Sequence, residues 1–393
     1  MEKERTKADD RNHKGNVETQ TIVHNLYSKL NQPDLDRDRS FSLEKALSNA
    51  VLSTEENILA QKSTRDVETK SSLLWRRSLL KRMADGLVWK FFGFNEHFLQ
   101  VASMPPPAGY MAHKNGYGFE RKALEFLPSI PEINFAIQND TTNILRLGDV
   151  TLLHSQNIYY LELKGGKFSG EFERTRRQSK KYEEINQYLA SGNASGLEFF
   201  KIKGVAPLET IAIELKNNHY WLELENVVNK TLERNNYWAE VDDGMILIGL
   251  SDWILNEQEL GRFINQIIRK AKWNSPQVRF GILSRHLDIK KADFLYSIIP
   301  LTAFDIDPKI GMILLDKSVE IMVLINLDFV YKSIGKHGYE LAQNYLTNKR
   351  SDVKVQIGER RWNRLIYGLY KLPDFIDETL VMLRKAEKEF PQQ

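Results

Sequence analysis

Cysteine is absent from this chain of 393 residues. Without thiols there are no disulfides, thiolate zinc sites, cysteine nucleophiles or cysteine-bound iron–sulfur clusters. The chain also lacks a strong charge of one sign, because 55 Lys and Arg face 52 Asp and Glu. The net charge of +3 neither supports nor excludes a nucleic-acid partner, so local clusters of charge have to decide.

Long hydrophobic runs are missing as well. The first ten residues, MEKERTKADD, are charged and lack the apolar core of a secretory signal. The most apolar stretch, 310–331, is interrupted by Asp316, Lys317, Glu320 and Asp328, whereas a membrane helix needs about 20 nearly uninterrupted apolar residues. We therefore expect a soluble, cytoplasmic protein with no membrane partner.

The length of the chain predicts two or three domains, and the mixture of predicted helices and strands along it predicts a mixed α/β class. A polar arm, loosely ordered or with short helices, is expected at 1–70, and a helical region ending in a Pro/Gly linker at 71–115. A domain that carries the motifs described below is expected at 116–250, and an α+β accessory domain at 251–393. In the accessory domain IGMILL, from residue 310, is predicted to be a strand.

The predicted elements of the 116–250 domain follow a definite order. FERKALEFL at 119–127 predicts a helix that Pro128 ends, and INFAI at 133–137 predicts a strand. Two β-prone runs joined by a polar turn then lie in LRLGDVTLLHSQNIYYLELKGGK, residues 145–167. A charged helix at 171–190 and a strand at 208–215 follow. The order is helix, three strands, helix, strand.

The two β-prone runs carry charges that suggest a metal site. Alternation along the second run puts Glu162 and Lys164 on one face, and antiparallel pairing brings Asp149 beside them if Gly148 forms a bulge. Two converging carboxylates repel each other unless a cation lies between them, and oxygen ligands suit Mg²⁺ or Mn²⁺. The backbone carbonyl of Leu163 is positioned to add a ligand, and Lys164 to orient or deprotonate a metal-bound water.

These residues resemble the motif of the PD-(D/E)xK nuclease superfamily, matched here as Asp149 followed by Glu162-Leu163-Lys164. The chain departs from the motif in having Gly148 where the family has proline. The resemblance covers residues 116–216 and implies a restriction-endonuclease-like core, αβββαβ. It also implies a glutamate from the helix before the sheet, for which Glu120 is the expected residue and Glu125 the substitute.

A QSKKY segment adds to this resemblance. Gln178 and Tyr182 are four residues apart and share one helical face, like the QxxxY motif of the RecB-like and lambda-exonuclease-like branch. In that branch the motif contacts the site and the nucleic-acid backbone, and it is often paired with a cysteine-bound cluster that this chain cannot have. Basic residues around the motif are expected to contact phosphates, namely Lys167, Arg174, Arg177 and Lys181.

Simpler explanations exist for each of these features. Charged residues at alternating strand positions usually form a solvated face, and a second Glu-Leu-Lys at 214–216 has neither the preceding aspartate nor a following QxxxY. A basic helix surface is commonly just solvated, and His154 fits a turn residue better than a ligand. Asp305 and Asp307 fit a polar loop better than a metal site.

The sequence therefore predicts a deoxyribonuclease that depends on Mg²⁺ or Mn²⁺, with DNA favoured over RNA and a role in prokaryotic antiviral defence or DNA repair. Whether it would act as an endonuclease or an exonuclease is left open. One alternative is a nucleic-acid-binding or scaffold protein that keeps the fold without catalysis. Another is an adaptor, because the C-terminal domain leaves room for a homo-oligomer or a partner protein.

Overall fold

A computed structural model describes residues 17–31, 35–61, 67–92, 109–114, 116–154, 157–163, 219–251, 257–274, 277–283, 299–342, 345–348 and 354–389, together with 99, 102–103, 180 and 183–184. The chain forms two compact units, Met1–Leu215 and Lys216–Gln393. The sequence instead predicted a boundary at 250/251. That position lies at the end of a strand, Met245–Ser251, which pairs along its whole length with Val319–Asn326.

The described part of the first unit begins with three helices: α1 (Val17–Leu30), α2 (Arg37–Ala60) and α3 (Val67–Phe91). Helix α2 lies within the predicted polar arm and, with 24 residues, is longer than the short helices expected there. Its apolar residues recur at helical spacing, so that Phe41, Leu47 and Val51 are all buried. Asp36 caps the helix by accepting a hydrogen bond from the backbone N–H of Arg39 at 2.8 Å. The buried stripe makes α2 part of the core, which a charge-rich composition does not suggest.

Helix α4 (Tyr117–Phe126) precedes an antiparallel three-stranded sheet of β1 (Ile133–Gln138), β2 (Val150–His154) and β3 (Asn157–Leu161), in that order. The predicted helix at 119–127 and strand at 133–137 are confirmed to within two residues. Apolar residues of α2, α4 and the sheet form one cluster, comprising Phe41, Leu124, Leu127, Ile133, Ala136, Val150 and Leu152. Leu161 and Leu163 pack against this cluster. The predicted helix at 171–190 and strand at 208–215 lie outside the described residues, apart from helical positions 180, 183 and 184.

The second unit is also mixed. Among its described residues the helices are α5 (Trp221–Arg234), α6 (Glu257–Lys270), α7 (Pro308–Leu315), α8 (Leu327–Gly335), α9 (Glu359–Tyr367) and α10 (Leu372–Glu389). Its strands are β4 (Asn236–Asp242), β5 (Met245–Ser251), β6 (Val278–Ile282), β7 (Val319–Asn326), β8 (Tyr339–Ala342), β9 (Tyr345–Asn348) and β10 (Lys354–Val355). Strands β4, β5, β7 and β6 form one antiparallel sheet in that order, and β10, β9 and β8 form another. The mixed α/β class predicted from the sequence is confirmed.

One predicted strand is wrong. Residues 310–315 belong to helix α7, which begins at Pro308 and is capped by Asp307, whose side chain accepts the N–H of Lys309 at 2.7 Å. Proline suits the first position of a helix because its missing N–H has no helical partner there. The adjoining apolar run, VEIMVLIN, is strand β7. None of the helices in the described part of the chain combines the length and apolar character needed to cross a membrane.

Candidate active site

Asp149 lies at an irregular point of the sheet, immediately before β2. Gly148 has a φ of 73°, in the left-handed region that glycine adopts without a steric penalty. Val150 pairs with Leu161, and the N–H of Asp149 also donates to the carbonyl of Leu161 at 2.8 Å. Two residues that meet one residue of the next strand form a β-bulge, which redirects a side chain. The bulge expected at Gly148 is present.

Asn139 holds this bulge in place. Its side-chain amide donates to the carbonyls of Leu147 at 2.5 Å and Gly148 at 3.2 Å, and its side-chain oxygen accepts the hydroxyl of Thr151 at 2.7 Å. Its backbone N–H donates to the carbonyl of Asp149 at 2.9 Å. The position of Asp149 is therefore fixed by one buried side chain whose polar atoms are all used.

Glu162 directly follows β3, and the residues on both sides of it bind Asp149 through their backbones. The carbonyl of Leu161, before it, accepts the N–H of Asp149, and the N–H of Leu163, after it, donates to Oδ2 of Asp149 at 2.8 Å. Leu161 and Leu163 pack on the core cluster, so alternation along the extended chain directs the half-buried Glu162 to the other face. The N–H of Leu163 therefore binds the Asp149 carboxylate, and the role expected for the carbonyl of Leu163, as a metal ligand, stays a prediction.

Glu120, and not Glu125, is directed toward Asp149. The side chain of Glu120 is only 2% exposed, and its Oε2 accepts a hydrogen bond from the amide of Gln138 at 2.5 Å. Glu125 is exposed and pairs with Lys45 and Arg121 at 3.7 and 3.8 Å. Five residues separate the two glutamates, which is more than one helical turn, so they occupy different faces of α4.

A lysine that the sequence analysis did not single out joins the acids. The ammonium of Lys114 lies 2.6 Å from Asp140 Oδ2, 3.3 Å from Asp149 Oδ1 and 3.5 Å from Glu120 Oε1. Asp140 lies in the short 3-10 helix Asn139–Thr141 that follows β1, and it is almost fully buried, with a side chain 4% exposed. We call Glu120, Asp140 and Asp149 the acidic cluster. It draws together residues from the helix before the sheet, from the end of β1 and from the start of β2.

The electrostatics of the acidic cluster depend on burial and on Lys114. Burial alone would lower the pKa of Lys114, but the hydrogen bond and charge of Asp140, with Glu120 and Asp149, raise it above its ordinary range. The pKa of Glu120 is raised, chiefly by burial, although Gln138 and Lys114 counteract part of this effect. Lys114 therefore stays positively charged, and burial favours the protonated form of Glu120.

Helices α2 and α3 hold the segment that carries Lys114. Oε2 of Glu55, in α2, accepts the backbone N–H groups of Met111 at 2.6 Å and Ala112 at 3.3 Å. Oε1 of Glu55 pairs with Arg77 of α3 at 2.6 Å. A buried carboxylate that uses both oxygens in this way compensates for the loss of its hydration. The backbone before Lys114 is consequently anchored to the helical layer.

Asp85 of α3 anchors the connection between β1 and β2. It accepts the backbone and side-chain N–H groups of Asn143 at 2.7 and 2.8 Å, and the N–H of Ile144 at 3.3 Å. Lys81 is also buried nearby. Its pKa falls to about 8, mainly because of burial, whereas the charges of Glu55, Asp85 and Asp140 act to raise it. Two acids from the helices thus position the two chain segments that supply Lys114 and Asp149.

The remaining predicted site residues fall on undescribed parts of the chain. They are Lys164, Gln178 and Tyr182 of the motifs, and Lys167, Arg174, Arg177 and Lys181 of the basic group. Among the residues that the structure does describe, no three His, Asp or Glu side chains are grouped closely enough to hold a metal ion. What the described residues show is an oxygen-rich cluster gathered around an ammonium group.

The fit of a divalent metal rests on the chemistry of these donors. Counting only groups in direct contact, three carboxylates surround one lysine, so acid outnumbers base. Carboxylate oxygens are the ligands that Mg²⁺ and Mn²⁺ prefer, and a cation already lies among them in the form of the Lys114 ammonium. The donor types present are therefore those that a divalent cation prefers, and the cation that they surround in this structure is the Lys114 ammonium.

Comparison with known proteins returned nothing: no family model, curated protein or solved structure matches the chain.

Proposed function

We propose that the chain is a divalent-metal-dependent nuclease that hydrolyses phosphodiester bonds, with DNA favoured over RNA. The observation that carries this proposal is the acidic cluster. Glu120 and Asp149 were each singled out in the sequence from the PD-(D/E)xK pattern, and both contact the same ammonium group although they come from different elements. A coincidental motif match gives no reason for the helix glutamate and the strand aspartate to meet.

The order of the elements supports the same proposal. A helix, α4, is followed by three antiparallel strands, with Asp149 at the start of the second strand and Glu162 just after the third. This order is that of the first four elements of a restriction-endonuclease-like core, which we propose for residues 116–216. Hydrogen bonds from Asn139 and from the N–H of Leu163 fix the position of Asp149.

The proposed chemistry assigns a role to each residue. Asp149 and Glu162 would hold Mg²⁺ or Mn²⁺, with Glu120 and Asp140 in support, either directly or through water. When bound, such a metal supplies Lewis-acid activation of a water molecule and neutralises charge on the phosphate. The carbonyl of Leu163 remains a further oxygen ligand. Lys164 is proposed to orient the attacking water, and Gln178 and Tyr182 to position the backbone of the nucleic acid.

Phosphate contacts are proposed for the basic residues between 164 and 181, because an excess of Lys and Arg beside a phosphodiester site lowers the cost of bringing in a polyanion. The excess consists of seven basic residues against Glu171 and Glu173.

We propose that such an enzyme acts in prokaryotic defence or DNA repair, with the second unit binding a partner protein or another copy of the chain.

A binding protein without catalysis is the second candidate, and one observation favours it. Lys114 neutralises part of the acidic cluster with the protein's own charge, as a purely structural ion-pair network would. A binder would keep its affinity for nucleic acid in EDTA, whereas hydrolysis requires the metal.

The test is cleavage of single- and double-stranded DNA and RNA with Mg²⁺ or Mn²⁺. We expect Asp149→Asn and Glu162→Gln each to lower the rate by about 100-fold or more, because each removes a charged ligand but keeps the shape of the side chain. The matched control is Glu214→Gln in the second Glu-Leu-Lys, which should cut as the wild type does. Equal cutting by all four proteins would refute the proposed site, and tight metal-independent binding with no cutting would favour the binder.

A further inference from the structure

Lys114 contacts more carboxylates than a partly exposed lysine normally does. It comes from the segment before α4, its side chain is 33% exposed, and its ammonium contacts all three members of the acidic cluster. A surface lysine normally forms one solvated ion pair of small energetic value. Here a single ammonium serves three carboxylates, of which Glu120 and Asp140 are almost fully buried.

We propose that Lys114 is a built-in counter-ion that takes the place of the divalent cation in the metal-free protein and withdraws when the metal binds. This inference rests on the metal requirement in the proposed function. It assigns Lys114 a positioning role: the ammonium lowers the repulsion among the acids, and its presence reduces the apparent affinity of the cluster for metal.

The contacts around the acids favour exchange of the cation over collapse of the cluster. Glu120 is held by Gln138 through the oxygen that Lys114 does not contact. Asp149 is likewise held by the N–H of Leu163 through Oδ2, while Lys114 contacts Oδ1. Each of these two acids therefore keeps a protein partner when the ammonium leaves.

The side chain of Lys114 can move while its backbone stays in place. The backbone just before it is fixed by Glu55, whereas its own four-carbon side chain is one-third exposed and ends in a compact, strongly hydrated charge. A lysine of this kind can turn into solvent without disturbing the backbone.

The first test is calorimetric titration of the full chain with Ca²⁺ and with Mn²⁺, comparing wild type, Lys114→Met and Lys122→Met. Lys122 is an exposed lysine of α4 and serves as the matched control. We expect Lys114→Met to bind metal at least about tenfold more tightly than the wild type, because no internal cation has to be displaced. Equal or weaker binding by Lys114→Met, with Lys122→Met unchanged, would overturn the inference.

Thermal unfolding of the same proteins separates exchange from a purely structural ion pair. In a chelator, Lys114→Met should unfold at a lower temperature than the wild type, because the buried acids then lack a counter-ion. Added Ca²⁺ should restore most of the loss in Lys114→Met and stabilise the wild type less. A loss that metal does not restore would mean that Lys114 is only a structural partner.

A measurement on the wild type decides the matter if Lys114→Met does not fold. The amines of the full chain are acylated in chelator and in saturating Ca²⁺, and labelling at each lysine is followed by mass spectrometry. We expect Ca²⁺ to raise labelling of Lys114 several-fold, because the released amine becomes exposed, and to leave Lys122 unchanged. Identical labelling of Lys114 in both conditions would overturn the inference. None of these readouts involves cleavage, so a metal-binding protein that cuts nothing would defeat the nuclease proposal alone.

Discussion

Gln138 connects three acidic or polar side chains in the interior of the first unit. Its amide donates to Glu120 at 2.5 Å, its side-chain oxygen accepts the hydroxyl of Ser48 at 2.9 Å, and its backbone N–H donates to Glu44 at 3.4 Å. Glu44 is 3% exposed, and burial raises its pKa to about 7, although Gln138, Arg121 and Lys45 counteract this in part. The charged form of Glu44 is therefore costly at neutral pH.

This cost predicts a pH-dependent stability difference for Glu44→Gln. Because the folded pKa of Glu44 lies above its ordinary value of 4.5, its stabilising effect is complete below 4.5 and is lost as the pH rises toward 7. Glutamine does not ionise, so the variant should gain on the wild type between pH 4.5 and 7, by about 3 kcal/mol in total. Urea unfolding across this pH range measures the difference.

Glu56→Gln is the matched control, because Glu56 is an exposed glutamate of the same helix. Its stability curve should run parallel to that of the wild type. Parallel curves for Glu44→Gln as well would show that Glu44 ionises as an exposed acid does.

At the residue scale the sequence predicted only part of the candidate site. Asp149 stands out because a charge in an apolar run beside Gly148 is unusual, and Glu120 because it begins a helix just before the sheet. Asp140 is hidden in a polar stretch, QNDTTN, that resembles any loop. Lys114 follows a Pro/Gly-rich segment, and its role arises only from contacts with residues distant in sequence, such as Asp149. Long-range ion pairs leave no local periodicity to detect.

At the scale of elements, short apolar runs could be recognised as buried, but the sequence did not show which were helices and which were strands. IGMILL was predicted to be a strand and is helical, whereas the neighbouring apolar run VEIMVLIN is strand β7. A run of six apolar residues suits a buried helix and a buried strand equally well, and periodicity cannot separate them. The deciding signal was at the start of the segment, where Asp307 and Pro308 form a helix cap.

Helix α5 packs directly on strand β5 at Gly249. A methyl group added there would lie 2.0 Å from the hydroxyl of Thr231 and 3.2 Å from Val227. Thr231 cannot move freely, because it is fully buried and its hydroxyl donates to the carbonyl of Val227 at 2.7 Å. The close approach of the two elements therefore requires glycine at this position.

Gly249→Ala should destabilise the protein by about 1–3 kcal/mol, because the added methyl group overpacks the contact. Gly261 provides a control of opposite sign, since it lies within α6 and an added Cβ meets nothing within 4 Å. Gly261→Ala should stabilise by about 0.5–1 kcal/mol through helix propensity. Chemical unfolding of the full chain checks both, and a neutral Gly249→Ala would show that α5 and β5 are not tightly packed there.

At the scale of the whole molecule, the division into two units was only partly predictable. Length predicted more than one domain, but the boundary lies at 215/216 because β5 pairs with β7, far along the sequence. Sheet pairing over such a distance cannot be read from composition. All the acids of the cluster belong to the first unit, Met1–Leu215.

The acidic cluster is the basis of this account, and anomalous diffraction from crystals of the full chain soaked in Mn²⁺ tests it most directly. We expect a manganese peak about 2.2 Å from a carboxylate oxygen of Asp149, with Glu162 in the same coordination shell. Saturated crystals with no peak beside Asp149, and with the Lys114 ammonium still among the three carboxylates, would contradict the account.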